Sequence, residues 1–329
     1  MTEREMGSIL LYAGSIHLQE QHISSIREAN PSVDFVEVES IDEWHERREE
    51  LGPTLEAAVS FPYNHITELA AFPNFKWHQQ TGAGADWLLR YPEVAGSSVL
   101  LTNASGVTAI PIAEHILALM FALARRIPRF VKAQQQHEWY PRGRLVELDG
   151  ATLGIIGLGA IGEKTAEKAR GLNMKVIGLR RSPEKSSPHV DKMLGPDGLH
   201  ELLEEADWVV LTTAMTPETL GMIGEPELRA MKESAHLINI SRGEVVDEEI
   251  LTRALEEGWI AGAGLDVFER EPLPVDSPLW DLRNVLVTAH FAGFTLKYGD
   301  KVTEIINDNI HRYVNGESLN NIIDKELCY

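Results

Sequence analysis

The segment Leu153-Gly154-Ile155-Ile156-Gly157-Leu158-Gly159-Ala160-Ile161-Gly162 constrains this chain more than any other. A short apolar run leads directly into G-x-G-x-x-G, and Glu163-Lys164-Thr165-Ala166-Glu167-Lys168 continues with helical character. The pattern reads as a buried strand, a tight turn and the start of a helix. Gly157 makes the turn, Gly159 lets backbone approach a pyrophosphate, and Gly162 lets helix pack on strand. The helix N-terminus, opening at Ala160 and Ile161, adds free N–H groups and a favourable dipole for the anion. A lone match in a chain with 26 glycines also fits an ordinary strand–helix turn. The apolar strand before it and the helix after it favour dinucleotide binding.

The same alternation runs through the whole chain. Strands are expected at Ser8–Tyr12, Asp34–Val38, Ala57–Ser60, Lys76–Gln79 and Val99–Leu101, with a helix from Ile16 to about Ala29. A long apolar helix follows from Ala109 to about Arg126, ended by Pro128, and a second reaches about His137. A polar stretch, Tyr140-Pro141-Arg142-Gly143-Arg144, leads to a second series of strands. These are Thr152–Ile156, Lys175–Leu179, Trp208–Leu211, His236–Ile240, Ala261–Leu265 and Val285–Thr288. A last helix runs from about Tyr298 to Val314, and periodicity alone leaves open which half it packs on. Strand–helix alternation of this kind implies an α/β fold with two parallel-sheet units.

Charge and cysteine content narrow the function classes. Fifty acidic residues against thirty basic ones give a formal charge of −20, which repels nucleic acid and anionic membrane. The single cysteine, Cys328, excludes an internal disulfide framework and a multi-cysteine metal site. No ligand cluster in the sequence demands a metal. Met1–Met6 has neither the basic start nor the apolar core of a secretory signal. The apolar run Ile116–Ala124 is too short to span a membrane. A cytoplasmic protein is expected. With only 11 lysines against 19 arginines, the acid excess points to a halophilic surface.

Cofactor choice is expected at the end of the second strand of the later series. Arg180 stands 18 residues past Gly162, where a site for NAD places an acid on the ribose 2′-hydroxyl. Arg180, Arg181 and Ser182 can instead hold a 2′-phosphate through charge-assisted hydrogen bonds, each worth roughly 1.5–3 kcal/mol. A solvated basic turn is the plainer alternative. NADP(H) is therefore expected to be preferred and NAD(H) to bind more weakly. Three further strand ends carry polar groups: Arg242 after Asn239-Ile240-Ser241, acids at Asp266, Glu269 and Glu271, and His290 after Val287-Thr288-Ala289. Strand C-termini of an open α/β sheet face its ligand crevice. An arginine, a carboxylate and a histidine there can hold an acid substrate and move a proton.

With these blocks in order, the sequence resembles the D-isomer-specific 2-hydroxyacid dehydrogenases. The resemblance rests on Gly82-Ala83-Gly84-Ala85-Asp86, Pro111-Ile112-Ala113-Glu114-His115, the glycine fingerprint and Thr216-Pro217-Glu218-Thr219. It continues through Asn239–Gly243, Leu265–Pro274 and Thr288–Gly293. It implies two Rossmann-like doubly wound parallel-sheet domains. A discontinuous substrate domain would take 1–105 and 293–329, around a dinucleotide-binding domain at 106–292. It further implies a homodimer using the helix from Ala109. Arg242 is similar to the substrate clamp, His290 to the proton donor in reduction, and Glu271 to its hydrogen-bonded partner. Backbone N–H groups of Ala83 and Gly84 would also hold the substrate carboxylate. Asp266 would contact the nicotinamide side, and Thr212 the adenosine or phosphate region, while Glu269 is a solvated neighbour.

Three residues depart from the pattern: Arg180 stands for an aspartate, and Ala214 and Ala289 for prolines. The first points to an NADP-using branch similar to glyoxylate and hydroxypyruvate reductases; the other two bear on loop geometry. The Glu271–His290 pair argues against the formate dehydrogenase branch, and the end of the chain at 329 against a phosphoglycerate dehydrogenase with an appended regulatory domain. The expected activity is NADPH-dependent reduction of 2-keto acids to D-2-hydroxy acids. The alternatives are a glyoxylate- or hydroxypyruvate-specific reductase and a cofactor-sensing, corepressor-like scaffold. Tyr12, Phe61, Trp139 and Trp280 are candidates for lining the substrate pocket.

Overall fold

The computed structural model describes residues 7–139 and 143–329. Met1–Met6 and the Tyr140, Pro141 and Arg142 of the polar link lie outside the described residues. The chain divides into two compact units. One runs up to Val107 and resumes at Thr295–Tyr329; the other is Thr108–Phe294.

The first unit is built on β1 (Ser8–Tyr12), β2 (Phe35–Val38), β3 (Leu55–Val59), β4 (Trp77–Gln79) and β5 (Leu100–Thr102). They form one parallel sheet in the order β2-β1-β3-β4-β5. Successive side chains of a strand point to opposite faces, so a sheet covered on both sides needs apolar residues throughout. Ile9, Leu11, Ala57 and Val59 enter one core with Ile23, Ile26 and the last helix, while Leu10 and Ala58 enter another with Trp44, Phe61 and Leu69. The last helix, Tyr298–Asn315, settles the question its periodicity leaves open. It packs Val302, Ile306 and Ile310, spaced one turn apart, on this sheet. Asn30 Nδ2 donates to Asn307 Oδ1 at 3.0 Å, tying it to the N-terminal helix Glu20–Ala29. Gly316, at φ 69°, ends it in the left-handed conformation that glycine tolerates best.

The second unit has seven strands: β6 (Thr152–Ile156), β7 (Lys175–Leu179), β8 (Lys192–Leu194), β9 (Trp208–Leu211), β10 (His236–Asn239), β11 (Gly262–Leu265) and β12 (Val285–Val287). The order is β12-β11-β10-β9-β6-β7-β8, again parallel throughout. Strand β8 escapes the sequence reading because it is three half-buried residues at the sheet edge. The apolar helix spans Ala109–Ala124 and buries Ala113, Ile116 and Met120. Pro128 does not end it: the chain turns at Arg126, φ 53°, and Pro128 lies in the first turn of the next helix, Ile127–Gln135. There a missing N–H costs nothing, because first-turn donors have no carbonyl one turn back.

Strand order reverses between β6 and β9, the switch point at which open α/β sheets bind ligands. Because all seven strands are parallel, their C-terminal ends share one edge. That edge carries Gly157 after β6, Arg180 after β7, Thr212 after β9, Arg242 beyond β10, Asp266 after β11 and His290 beyond β12.

Candidate active site

Steric contact explains two of the three fingerprint glycines. Gly157 has φ +96°, and a Cβ there would sit 2.5 Å from the backbone of Thr213. A Cβ on Gly162 would lie 2.6 Å from the Gly157 carbonyl oxygen and 3.1 Å from Thr212 Oγ1. Gly159 differs: it caps the helix Ala160–Gly171, and its Cβ position meets no described atom within 4 Å. That clearance, beside the unsatisfied N–H groups of Ala160, Ile161 and Gly162, suits a pyrophosphate laid on the helix N-terminus. Thr212 sits beneath the turn. Its hydroxyl donates to the Gly157 carbonyl at 2.6 Å, so it braces the fingerprint.

At the end of β7, Arg180 is partly buried and paired. Its Nη1 lies 3.3 Å from Glu163 Oε1 and donates to the Lys185 carbonyl at 3.3 Å. Ser187 Oγ donates to the other Glu163 oxygen at 2.6 Å. Sequence reasoning missed Glu163, which stands directly after the last fingerprint glycine and faces the arginine from the neighbouring helix. Arg180 still has three further N–H donors, on Nε and Nη2, for a phosphate. Arg181 is exposed, with Nη2 3.9 Å from Glu218, and the partly buried Ser182 accepts the Lys185 N–H at its carbonyl.

Beyond the switch point Glu271 and His290 meet after β11 and β12, and Arg242 follows β10 on the same sheet edge, its Nη1 donating to the Ser241 carbonyl at 2.8 Å. Asn239, buried at the end of β10, shapes the Arg242 turn: its Oδ1 accepts from Ser241 N and Oγ, and its Nδ2 donates to the Arg242 carbonyl at 3.0 Å. Gly243 follows because a Cβ there would collide with the backbone of Phe268 and Glu269. This close approach lays the Arg242 turn against the loop that carries Glu271. His290 Nδ1 and Glu271 Oε2 are 2.7 Å apart, and Glu271 Oε1 accepts the Phe268 N–H at 3.1 Å. With both carboxylate oxygens engaged, the ring is oriented and Nε2, which has no partner among the described residues, is left to exchange a proton.

Asp266 holds this arrangement from below. It is 2 % exposed, and its carboxylate accepts from Thr288 Oγ1 at 2.5 Å and from the N–H groups of Phe291 and Ala292 at 3.0 Å each. Its carbonyl takes the His290 N–H at 2.7 Å. His290 has φ +52°, a left-handed conformation unfavourable for a side-chain-bearing residue, and these four bonds impose it. His115 Nε2 joins the group 3.0 Å from Thr288 Oγ1. Inside the chain Asp266 thus acts on the His290 loop, a task its spacing in the sequence did not reveal.

In the five-stranded unit, the loop after β4 is tied down by its carbonyls. Gln80 Nε2 donates to Gly82 O at 3.0 Å and Gly84 O at 2.6 Å, and Asn103 Nδ2 to Ala83 O at 2.8 Å. Gln80 is itself fixed by Trp87 Nε1 at 2.9 Å. Among the described residues, the N–H groups of Ala83 and Gly84 donate to no acceptor, as a backbone anion cradle requires. Gln80 and Asn103 were not legible as site residues.

The family model for the D-isomer specific 2-hydroxyacid dehydrogenase NAD binding domain matches residues 117–292. A glyoxylate reductase of Korarchaeum cryptofilum (strain OPF8) is 39% identical over 245 residues, 71% of this chain and 72% of its own length. The chain belongs to the D-isomer-specific 2-hydroxyacid dehydrogenase family. It is an oxidoreductase of that family. A glyoxylate reductase of Pyrococcus furiosus is 37% identical over the same shares of the two chains. Among solved structures, the D-isomer specific 2-hydroxyacid dehydrogenase from Xanthobacter autotrophicus Py2, in complex with NADPH and MES, superposes with a TM-score of 0.84. That pair is 30% identical and covers 98% of this chain and 100% of the other.

Within this dehydrogenase, the four aromatic pocket candidates separate. Phe61 is 2 % exposed and packs edge-on against Tyr12 and Trp44, so it belongs to the core and lines nothing. Tyr12 lines a cavity of about 640 Å³ together with Ser60, Tyr63 and Arg90. Ser60 is the notable member: φ is 68°, and its buried hydroxyl has no partner among the described residues. Trp139 is fully exposed, and Trp280 donates its indole N–H to the Pro274 carbonyl. The two alanines that replace prolines leave ordered loops. The Ala214 carbonyl accepts Thr219 Oγ1 at 2.8 Å, and Ala289 lies in the loop Asp266 secures.

Proposed function

We propose that this enzyme reduces small 2-oxo acids with NADPH, glyoxylate first among them to glycolate and the longer 2-keto acids to D-2-hydroxy acids. The observation that carries the reading is the 2.7 Å His290–Glu271 pair on the same sheet edge as the glycine fingerprint and Arg242. A bound reduced nicotinamide supplies the hydride to substrate C2. As the carbonyl oxygen gains charge, the Arg242 guanidinium stabilises it and His290 Nε2 delivers the proton. Glu271 orients the ring and balances the imidazolium charge. The Ala83 and Gly84 N–H groups are assigned to the substrate carboxylate, a role their tethered carbonyls support. Asp266 and Thr212 are positioning residues, the first for the His290 loop and the second for the fingerprint turn. Protonated imidazole favours reduction and neutral imidazole oxidation.

Glyoxylate is favoured within the substrate class by the relatives named as glyoxylate reductases. NADPH is favoured by Arg180, Arg181 and Ser182, and by the NADPH in the Xanthobacter relative. The exposed Ile110 and Phe121 on the helix Ala109–Ala124, and Phe130 and Val131 on the next, support a homodimer burying this face. The acidic surface supports a requirement for salt; stability unchanged on dialysis into dilute buffer would refute that part.

The test is steady-state oxidation of NADPH and of NADH at high salt, over glyoxylate, hydroxypyruvate, pyruvate and branched 2-keto acids. Turnover with NADPH preferred, and kcat/KM highest for glyoxylate, is the expected result. Cofactor binding without turnover on any keto acid would replace the reading with a cofactor-sensing scaffold. Arg180→Asp should shift the NADPH/NADH ratio of kcat/KM by ten- to a hundredfold toward NADH; an unchanged ratio would remove Arg180 from cofactor choice.

A further inference from the structure

Two histidines and a glutamate that have no part in the proposed reaction meet on the five-stranded unit. His45 lies on the helix Ile41–Leu51, His65 ends the turn Tyr63–His65, and Glu68 belongs to the short helix Ile66–Ala70 that follows. His65 Nδ1 is 2.8 Å from Glu68 Oε1, and His45 Nε2 is 3.1 Å from Oε2 and 3.3 Å from Oε1. One ligand atom from each of the three lies within 4.8 Å of the others. A tetrahedral ion with nitrogen and oxygen ligands at about 2.0–2.1 Å needs its donor atoms about 3.3 Å apart. The histidine–carboxylate separations of 2.8 and 3.1 Å lie just under that figure, so small side-chain adjustments would complete the set.

The carboxylate is oriented by a group that does not bind the ion. Trp44, buried completely, donates its indole N–H to Glu68 Oε2 at 3.0 Å. Metal-ligating carboxylates take their direction from outer hydrogen-bond donors of this kind. His45 is the most open of the three, its side chain 43% exposed, which leaves a coordination position for water.

We propose that His45, His65 and Glu68 form a divalent transition-metal site, with Zn²⁺ the ion that two imidazoles and one carboxylate suit best. The ion would fasten the helix Ile41–Leu51 to the segment Tyr63–Ala70. That segment also carries Tyr63, stacked on Trp87 at 5.2 Å. In the absence of metal the same three side chains form an ordinary hydrogen-bonded cluster. The two states differ in tautomer, because each coordinating nitrogen must present a lone pair where it now donates to Glu68.

The experiment uses the full chain, free of any affinity tag and stripped with a chelator. Zn²⁺ affinity is measured by competition with a chromogenic chelator, for the native protein and for His45→Gln and His65→Gln. One tight ion per chain is expected, with affinity weakened at least tenfold in each variant and a raised unfolding midpoint only in the native protein. Equal affinity in native protein and variants would overturn the site, since it would trace binding to the other histidines and the acidic surface. Co²⁺ gives a readout that depends on no variant. Intense tetrahedral ligand-field bands at one equivalent support the site, and weak octahedral bands overturn it.

Discussion

In the five-stranded unit β4 leads into Gln80, Thr81, Gly82, Ala83 and Gly84; in the seven-stranded unit β10, β11 and β12 lead to Arg242, Glu271 and His290. Both sheets are wholly parallel, and each gathers its strand ends on one edge. The chemistry placed there differs. The smaller unit presents backbone N–H groups held outward by side chains that grip the carbonyls, Gln80 above all. The larger one presents ionisable side chains, with backbone and buried polar groups, Asn239 and Asp266, setting their direction. Backbone donors bind an anion whose charge does not change in a reaction. An ionisable side chain is needed where a proton moves. On the proposed function, one architecture thus supplies a binding edge and a reacting edge.

The sharpest way to break this contrast is Arg242→Ala. Loss of the side chain at the reacting edge should lower kcat/KM for glyoxylate by about 10²–10³, with most of the loss in kcat. Near-normal turnover would deprive Arg242 of its assigned role.

A second prediction concerns what the units share. Each has a buried, neutral histidine on a strand: His78 on β4 and His236 on β10, both depressed to about 4 by burial, with hydrogen bonds to the Phe61 and Ser234 backbones only partly opposing it. His236 is stacked on Trp208 with ring centroids 4.4 Å apart. With folded values below the unfolded 6.5, the unfolded chain binds more protons between pH 6.5 and 4. Stability should therefore be full above pH 6.5 and fall through that window, by about 2 kcal/mol per histidine at pH 5. Urea unfolding at pH 7.5 and 5.0 measures it, and His78→Gln or His236→Gln should flatten the difference. A pH-independent midpoint in the native protein would contradict the burial of both rings as neutral groups.

The smallest effect sharpens the contrast from the binding edge. Gln80→Ala releases the carbonyls of Gly82 and Gly84 while leaving the reacting side chains in place. KM for glyoxylate should rise about tenfold with kcat little changed. A fall in kcat alone would mean that the two edges do not divide the work as proposed.

Much of the reacting edge is legible in the amino-acid sequence. Gly157 and Gly162 announce a turn that only glycine can make, and Arg242, Glu271 and His290 each lie shortly after an apolar run. Parallel strands bring such ends together wherever they fall in the chain. The binding edge is far less legible, because its working groups are peptide N–H groups that every non-proline residue has. Only the family resemblance points to Ala83 and Gly84, and nothing in the sequence points to Gln80 or Asn103. Phe61 misleads for the opposite reason: an aromatic residue next to a strand end fits core and pocket equally well, and packing against Trp44 decides for the core.

By itself, then, the sequence determined two parallel α/β units, a dinucleotide turn and the ionisable residues at the strand ends. All of these follow from local periodicity, glycine sterics and the shared direction of parallel strands. Tertiary structure alone decided that Glu163 would face Arg180, that the Asp266 carboxylate would hold the His290 loop, and that the last helix would pack on the N-terminal sheet. It also decided that His45 and His65, twenty residues apart in the chain, would meet over Glu68. Such contacts depend on which faces of helices and loops pack together, and no short-range spacing in the chain records that choice.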